Sequence, residues 1–240
     1  MKHIEQYTLR WHDTDVGLTA RPGALVALMQ ETSNLQFARS GKSLDDIRAE
    51  RGVGFVLSRI ALDILRAPRA FEELRVETFT EGGHGFTFLR GFEVFSGDEL
   101  LARCHSAWAL LSVQDKSLIK YEDFPLSFGD EPEVHTETPL RFRIPRDLPL
   151  AVVGEKRILY SDLDYNYHMN NTKYPDMVRD FLPNPEALRV TGMSLAYYRE
   201  AAFGDVLTLS RATGENGVFY FRAQRGEELC FEAMLKTVPV

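Results

Sequence analysis

"WHDTDVGLTARPGAL" (Trp11–Leu25) aligns without a gap on "YSDLDYNYHMNNTKY" (Tyr160–Tyr174), at a constant offset of 149 residues. The alignment places Asp15 on Asp164. Each stretch follows a short strand-like segment, "IEQYTLR" or "KRIL", and leads into a helix-like pattern. The sequence therefore predicts two copies of one structural unit in a single chain.

A helix is expected after the first stretch, because mainly apolar residues recur there at spacings of three and four. These residues are Leu25, Leu28, Met29, Thr32 and Leu35. Pro22 suits the first helical turn, and Gly41 can end the helix. The second stretch repeats the spacing more briefly, until "PNP" stops it. Its members are Tyr174, Met177, Val178 and Phe181.

Several strand-like segments with glycine-rich breaks follow each predicted helix. The first half has "FVLSRIALDILR", "AFEELRVETFTEG", "FTFLRGFEVFSG" and "LLARCHSAWALLSV", and the second has "LRVTGMSLAYYRE", "GDVLTLSRATG", "VFYFRAQRG" and "ELCFEAMLKTV". One helix per half can cover the apolar face of such a sheet. We therefore expect an α+β fold, the tandem (double) hotdog, with two antiparallel sheets joined side by side and each wrapped around a long central helix.

A proline-rich segment separates the two halves. It contains five of the eleven prolines of the chain, Pro125, Pro132, Pro139, Pro145 and Pro149. Proline removes backbone donors, so a central strand is disfavoured there. The predicted organisation is an N-terminal unit over 1–120, a linker over 121–155 that crosses the surface, and a C-terminal unit over 156–240.

Composition narrows the classes of function. The 240 residues are 44% hydrophobic and 26% charged, as in ordinary globular proteins. A net charge of −7 gives no reason to expect binding of nucleic acid, which needs a basic face. Cys104 and Cys230 lie far apart and form no zinc-type spacing, which favours reduced thiols. With no apolar run long enough for a membrane span and no signal-peptide pattern, we expect a cytoplasmic protein that does not bind membranes.

Polar side chains crowd the stretch "DLDYNYHMNN". Its opening resembles an EF-hand loop, but Tyr167 and Lys173 occupy the positions where calcium binding requires Gly and Glu. A transition metal would need more ligands than His168 and one carboxylate. We therefore expect no metal and no cofactor. Helix capping by Asn170 or Asn171 is the simpler structural alternative.

The chemical alternative rests on Asp164, Asn166 and His168, which occupy alternate positions. In an extended segment these side chains would share one face. A carboxylate, an amide and an imidazole would then be able to orient, hydrogen-bond and exchange protons with a reacting group. Glu200 in "YYREAAFGD" offers a further carboxylate to activate water, although a surface ion pair with Arg199 would also explain it.

These motifs resemble those of the acyl-ACP thioesterases, and the likeness covers nearly the whole chain. "DYNYHMNNTKY" is similar to the family's D-x-N-x-H-x-N-N-x-x-Y signature, and "LAYYREAAFGD" to its L-x-Y-x-R-E-C stretch. "LMQETSNLQFARSG" followed by "GFVLSRIALDI" resembles the long helix and the W-V-L-x-R strand of the first unit. "SAWALLSVQDKSLIKY" resembles the strand that leaves that unit.

The resemblance implies a double hotdog fold and hydrolysis of fatty acyl-acyl carrier protein, with release of a free fatty acid. It implies an N-terminal unit that houses the acyl chain and a C-terminal unit that carries the catalytic groups Asp164, Asn166, His168 and Glu200. Plant members have cysteine directly after the glutamate, where this chain has Ala201. The expected mechanism is therefore attack by water, with Glu200 as the base and Asn166 or His168 stabilising the oxyanion.

Other interpretations remain open at this point. The chain could be an acyl-CoA thioesterase, a non-catalytic acyl-binding protein or a hotdog dehydratase. The expected partner is acyl carrier protein, and the chain would act as a monomer (a pseudo-dimer) or as a homodimer. A basic cluster near the linker is a candidate docking surface, with solvated charge as the alternative. Its residues are Arg141, Arg143, Arg146, Lys156 and Arg157.

Overall fold

The computed structural model describes residues 2–124 and 128–240. Its helices are α1 (Pro22–Arg39), α2 (Leu44–Arg51) and α3 (Tyr174–Asp180). Its strands are β1 (His3–Thr8), β2 (Val53–Ile64), β3 (Glu73–His84), β4 (Thr87–Ser96), β5 (Glu99–Ser112), β6 (Leu118–Ile119), β7 (Ala151–Arg157), β8 (Leu188–Tyr197), β9 (Val206–Thr213), β10 (Val218–Arg225) and β11 (Glu228–Pro239). Each predicted strand segment contains or overlaps one of them.

The described strands form one antiparallel sheet with the order β1-β3-β4-β5-β2-β8-β11-β10-β9-β7, and β6 pairs with β5. From the outer edge to the join, the order is β1-β3-β4-β5-β2 in the first half and β7-β9-β10-β11-β8 in the second. The second half therefore repeats the strand order of the first. The halves join where Arg59–Asp63 of β2 pairs with Gly192–Ala196 of β8. The predicted side-by-side joining of the sheets thus produces a continuous sheet.

The core lies between this sheet and the helices. Leu62 of β2 and Met193 of β8 are fully buried at the join, and Leu25 and Met29 of α1 are buried in the same cluster. Full burial of an aliphatic side chain contributes about 1.5–3 kcal/mol. The join between the halves is therefore part of one hydrophobic core.

α1 and α3 meet through a glycine. A Cβ on Gly23 would lie 2.5 Å from the carbonyl oxygen of Thr172, closer than real Cβ contacts allow. The Gly23 amide donates to Oδ1 of Asp176 at 2.9 Å, and Arg21 pairs with the same carboxylate at 2.6 Å. The first turn of α1 thus rests directly on the second half of the molecule.

The prediction of a long central helix is correct for α1 and wrong for the second half. α1 has 18 residues, with Pro22 in its first turn, whereas α3 has seven. Phe181 leaves the helical conformation, and the prolines at 183 and 185 prevent the helix from continuing. The sheet of the second half therefore wraps around a short helix.

α2 is a helix that the sequence analysis missed. A capping box begins it, since the Ser43 hydroxyl accepts from the Asp46 amide and the Asp46 carboxylate accepts from the Ser43 amide. Gly52, in the left-handed conformation, ends it. No helix in the described parts of the chain is long and apolar enough to cross a membrane.

The linker region crosses the sheet and contacts strands of both halves. The Val134 amide donates to Oε1 of Glu81 on β3 at 2.6 Å, and the Glu137 amide donates to Oδ2 of Asp63 on β2 at 2.7 Å. Ser194 of β8 donates to the Pro139 carbonyl. Strand β7 runs across the predicted boundary at residue 155, and Pro125 lies outside the described residues. The division into three segments stays a prediction.

The basic cluster divides into two parts. Arg141, Arg143, Arg146 and Arg157 are exposed. Lys156 forms an ion pair with Asp162, with Nζ 2.9 Å from Oδ2. Four of the five cations are thus exposed, as a docking surface or ordinary solvated charge would require.

Candidate active site

The polar stretch forms a tight turn. The Asp164 amide donates to the His168 carbonyl at 2.9 Å, and the Tyr167 amide donates to the Asp164 carbonyl at 3.1 Å. Tyr167 adopts a left-handed conformation, with φ of 63°. The expected extended segment is therefore wrong, since the Asp164 carboxylate stabilises a turn through its hydrogen bond with the Asn166 amide at 2.8 Å.

The first half contains the same turn. The Asp15 amide donates to the Thr19 carbonyl at 2.9 Å, and the Asp15 carboxylate accepts from the Gly17 amide at 2.9 Å. Leu18 is left-handed there, with φ of 57°. The gapless alignment of the two stretches is thus also a structural alignment.

The site loop pairs with the segment that follows β8. The Met169 amide donates to the Ala201 carbonyl at 2.8 Å, and a bridge pairs His168 with Ala202. This pairing brings Nε2 of His168 to 3.2 Å from Oε2 of Glu200. The two side chains are 33% and 57% exposed, so both are accessible to solvent.

Glu200 does not form the surface ion pair that was considered from the sequence. Nε of Arg199 lies 3.3 Å from Oε1 of Glu228, and Glu200 pairs with His168. The next residue, Ala201, is completely buried in the core. The Glu200 carboxylate therefore lies next to a residue that is anchored in the core.

Asp164 and Asn166 have different partners from His168. Asp164 is half-buried and holds the backbone of the turn, whereas Asn166 is exposed. Oδ1 of Asn166 accepts a hydrogen bond from Nη1 of Arg48, on α2, at 2.7 Å. Among the described residues, no hydrogen bond joins the Asn166 side chain to His168 or Glu200.

Aromatic side chains pack beneath the site. The Tyr174 and Phe231 rings lie 4.7 Å apart, and Tyr197 packs against both. The Tyr197 hydroxyl donates to the Asn171 carbonyl at 3.2 Å. Burial raises the pKa of both tyrosines, so they act as neutral groups. This packing supports the turn from its buried side.

The matching loop of the first half lacks the reactive groups. Thr19 stands where His168 stands in the second half. The Ala20 amide donates to the Pro68 carbonyl at 2.8 Å, as the Met169 amide donates to the Ala201 carbonyl. Ala67 is therefore the first-half equivalent of Glu200. In this copy, the Asp15 carboxylate pairs instead with Nη2 of Arg179 on α3 at 2.6 Å. Only the second loop thus combines an imidazole with a carboxylate.

Arg48 is the contact that the sequence analysis missed. It belongs to a helix in the other half, and nothing in its local sequence indicates that it reaches Asn166. The capping signal "SLDD" at residues 43–46 was the available indication that a helix begins there. Among the described residues, no group of three or more His, Cys, Asp or Glu side chains could hold a metal ion.

Comparison with known proteins gives the fold first. An acyl-ACP thioesterase from Bacteroides thetaiotaomicron superposes with a TM-score of 0.88 at 20% identity, covering 99% of this chain and 98% of the other. The 12:0-ACP thioesterase from Umbellularia californica gives 0.85 at 19% identity, covering 100% and 98%. These likenesses show a hotdog-type α+β fold.

Two family models match the chain. The model described as the acyl-ACP thioesterase N-terminal domain matches residues 1–123, and the model described as the C-terminal domain matches residues 153–232. The chain belongs to the acyl-ACP thioesterase family. It is 23% identical to the palmitoyl-acyl carrier protein thioesterase of Gossypium hirsutum over 89% of its own length. It spans a little over half the length of that relative, 56%.

Proposed function

We propose that the chain hydrolyses the thioester of fatty acyl-acyl carrier protein and releases a free fatty acid for lipid metabolism. The observation that carries this proposal is the 3.2 Å contact between His168 and Glu200, an imidazole and a carboxylate that are both partly exposed. Membership of the acyl-ACP thioesterase family supports it. The departure at Ala201 leaves the pair intact.

In the proposed mechanism water is the nucleophile. Glu200 accepts a proton from the water as its oxygen attacks the thioester carbonyl carbon. The Asn166 amide stabilises the resulting oxyanion as a donor. The C–S bond then breaks, and the departing thiolate receives a proton through His168. The products are a fatty acid and the carrier with its free thiol, so no covalent intermediate with the protein forms.

Asp164 has a supporting part in this mechanism. Its carboxylate fixes the turn that carries both Asn166 and His168, through the hydrogen bond with the Asn166 amide. Catalysis requires such groups to be held in place before the substrate arrives. The proposed catalytic set is therefore Asp164, Asn166, His168 and Glu200.

The repeated strand order supports a tandem hotdog, with acyl-chain binding in the first unit and chemistry in the second. The acyl chain would enter between α1 and the sheet, where Leu28 is half-buried. The exposed arginines at 141, 143 and 146 would meet an acidic carrier. The chain would act in the cytoplasm as a pseudo-dimeric monomer or as a homodimer.

A substrate panel tests the function. The same acyl chains, from short to long, would be presented on carrier protein and on CoA, and release of fatty acid would be measured for the unmodified protein and for His168→Ala. We expect hydrolysis by the unmodified protein, faster on carrier protein. Preference for CoA would assign the acyl-CoA reaction, and tight acyl binding without hydrolysis would overturn the enzymatic proposal.

A further inference from the structure

A side chain of the first half, that of Arg48, reaches the candidate site in the second. Nη1 of Arg48, on α2, donates to Oδ1 of Asn166 at 2.7 Å. The guanidinium also lies 5.9 Å from the centre of the Tyr165 ring. Arg48 therefore contacts two successive residues of the turn that presents His168.

The chemistry of this contact fixes the orientation of the Asn166 amide. A guanidinium group only donates hydrogen bonds, so the amide atom that faces it must be the oxygen. The NH₂ group of Asn166 is then directed away from Arg48 and is free to donate elsewhere. Without Arg48, an exposed amide would be able to present either atom to a substrate.

Arg48 forms no ion pair within the described parts of the chain. Among the described residues, no carboxylate lies within 4 Å of its guanidinium, whereas Arg21 and Arg179 each form an ion pair with an aspartate. The amide of Asn166 is a neutral acceptor, so the hydrogen bond is charge-assisted from one side only. The hydrogen bond thus has a defined geometry but contributes less to stability than an ion pair would.

α2 is a firm support for this side chain. The capping box at Ser43 fixes its start, and Gly52 leads directly into β2. Ile47 packs on a small core cluster that includes Phe124. Arg51, one turn after Arg48, lies 5.0 Å from the Phe124 ring and so faces a different neighbour. The helix therefore presents Arg48 at a defined place.

We propose that Arg48 is a positioning residue for the reaction. It holds the Asn166 amide with its oxygen toward the guanidinium. The NH₂ group can then donate to the thioester carbonyl oxygen as that oxygen becomes an oxyanion. This inference rests on the proposed function. It also means that the catalytic groups of the second half need a side chain of the first half for their full effect.

A double-mutant cycle tests the coupling. Arg48→Met removes the donors and keeps an unbranched side chain. We expect it to lower kcat about tenfold with little change in KM, a fraction of the 10²–10³-fold cost of losing an oxyanion donor outright. Arg48→Lys, which can still donate to the oxygen, should restore part of the loss. In an Asn166→Ala background, Arg48→Met should have no further effect.

Arg51→Met is the matched control, since it removes the same charge from the same helix without touching Asn166. Its kcat should stay close to that of the unmodified protein. An equal loss from Arg48→Met with and without Asn166 would overturn the proposal. So would a loss confined to KM and shared by Arg51→Met, because both residues would then act on the carrier. An unmodified protein that hydrolyses no thioester would contradict the proposed function instead.

Discussion

Nε2 of His168 and Oε2 of Glu200 lie 3.2 Å apart, although the two residues come from a turn and from the segment that follows β8. The contact depends on backbone pairing, because the Met169 amide donates to the Ala201 carbonyl immediately beside it. Hydrogen-bond distance is what proton exchange between an imidazole and a carboxylate requires. This relationship supports the following predictions about the reaction.

Glu200→Gln should abolish most hydrolysis while substrate still binds. The amide keeps the shape of the side chain and loses its basicity, so turnover should fall ~100-fold or more, the scale of a lost general base. Single-turnover assays with radiolabelled acyl carrier protein would measure the effect. A fully active variant, or an acyl-enzyme trapped in the unmodified protein, would contradict the water mechanism.

His168→Ala should lower turnover by ~100-fold or more, because proton transfer to the departing thiolate loses its donor. His168 is partly exposed, so the thermal unfolding midpoint should change little. Circular dichroism and turnover of the same preparation would check both expectations. Near-normal activity in a folded variant would remove His168 from the mechanism.

Both cysteines should be dispensable for the reaction. The Cys230 carbonyl accepts from the Arg199 amide next to Glu200, closer to the site than the sequence indicated, but Cys104 and Cys230 are both buried. Burial also raises the pKa of each thiol, which keeps it protonated and weakly nucleophilic. The double Cys→Ala variant should keep most of its kcat under native conditions. Complete loss of activity with folding preserved would implicate a thiol.

Asp15→Asn should weaken the fold and spare the reaction. The Asp15 carboxylate pairs with Arg179 at 2.6 Å, and losing a hydrogen bond between charged groups costs about 1.5–3 kcal/mol. Burial raises the pKa of Asp15, but the hydrogen bond and charge of Arg179 outweigh it and lower the pKa. The stability difference between Asp15→Asn and the unmodified protein should therefore shrink on acidification, as pH falls through that lowered pKa.

Urea unfolding and kcat would be measured together for Asp15→Asn and for Asp164→Asn, its counterpart in the second loop. We expect the first to lose stability with kcat intact, and the second to lose kcat. Equal kinetic effects from both substitutions would show that the two loops serve the reaction alike.

Glu81→Gln should stabilise the protein at pH 8 and have little effect at pH 5. Burial raises the pKa of Glu81 to about 7, so the folded state binds its proton more tightly than the unfolded state does. The unmodified protein therefore loses stability as pH rises from about 4.5 to about 7, and the amide avoids this loss. Thermal unfolding at the two pH values would measure the difference.

The surroundings of Glu81 supply the control. Oε2 of Glu81 lies 3.7 Å from Nε2 of His105, whose Nδ1 contacts the exposed carboxylate of Glu133 at 3.1 Å. The charges of Glu133, Arg90 and Glu93 also act on Glu81. Glu81→Gln also removes a carboxylate beside His105, so a second substitution is needed to separate the two groups. Glu133→Gln should show no comparable gain at pH 8, and an equal gain would assign the effect to His105.

Much of the fold follows from periodicity and alignment. The spacing of apolar residues in α1 and the glycine-rich breaks between the strand-like segments are local signals, so they predict elements correctly. α3 ends one residue before its apolar pattern, which stops at the prolines 183 and 185, so the expectation of a long central helix in both halves went beyond this local signal. α2 has no apolar stripe long enough to be recognised. Its capping box was the signal that would have found it.

The site was harder to predict than the fold. Its residue types identify Asp164, Asn166, His168 and Glu200 as candidates, but not the turn that holds them. Tyr167 takes a left-handed conformation that few non-glycine residues adopt, so the expectation of an extended segment was wrong. The contact between Arg48 and Asn166 joins segments far apart in the chain. Such contacts depend on how the halves meet.

The difference between the two copies of the turn sets the number of candidate sites in each chain. In a symmetric dimer of identical subunits every substitution occurs twice, so both sites change together. A chain that carries both copies can alter one and keep the other. Here Thr19 and Ala67 occupy the places of the imidazole and the carboxylate, and Asp15 serves as an anchor for α3. Each polypeptide should therefore process one acyl group at a time, and titration with a tight-binding substrate analogue should saturate at one equivalent per chain.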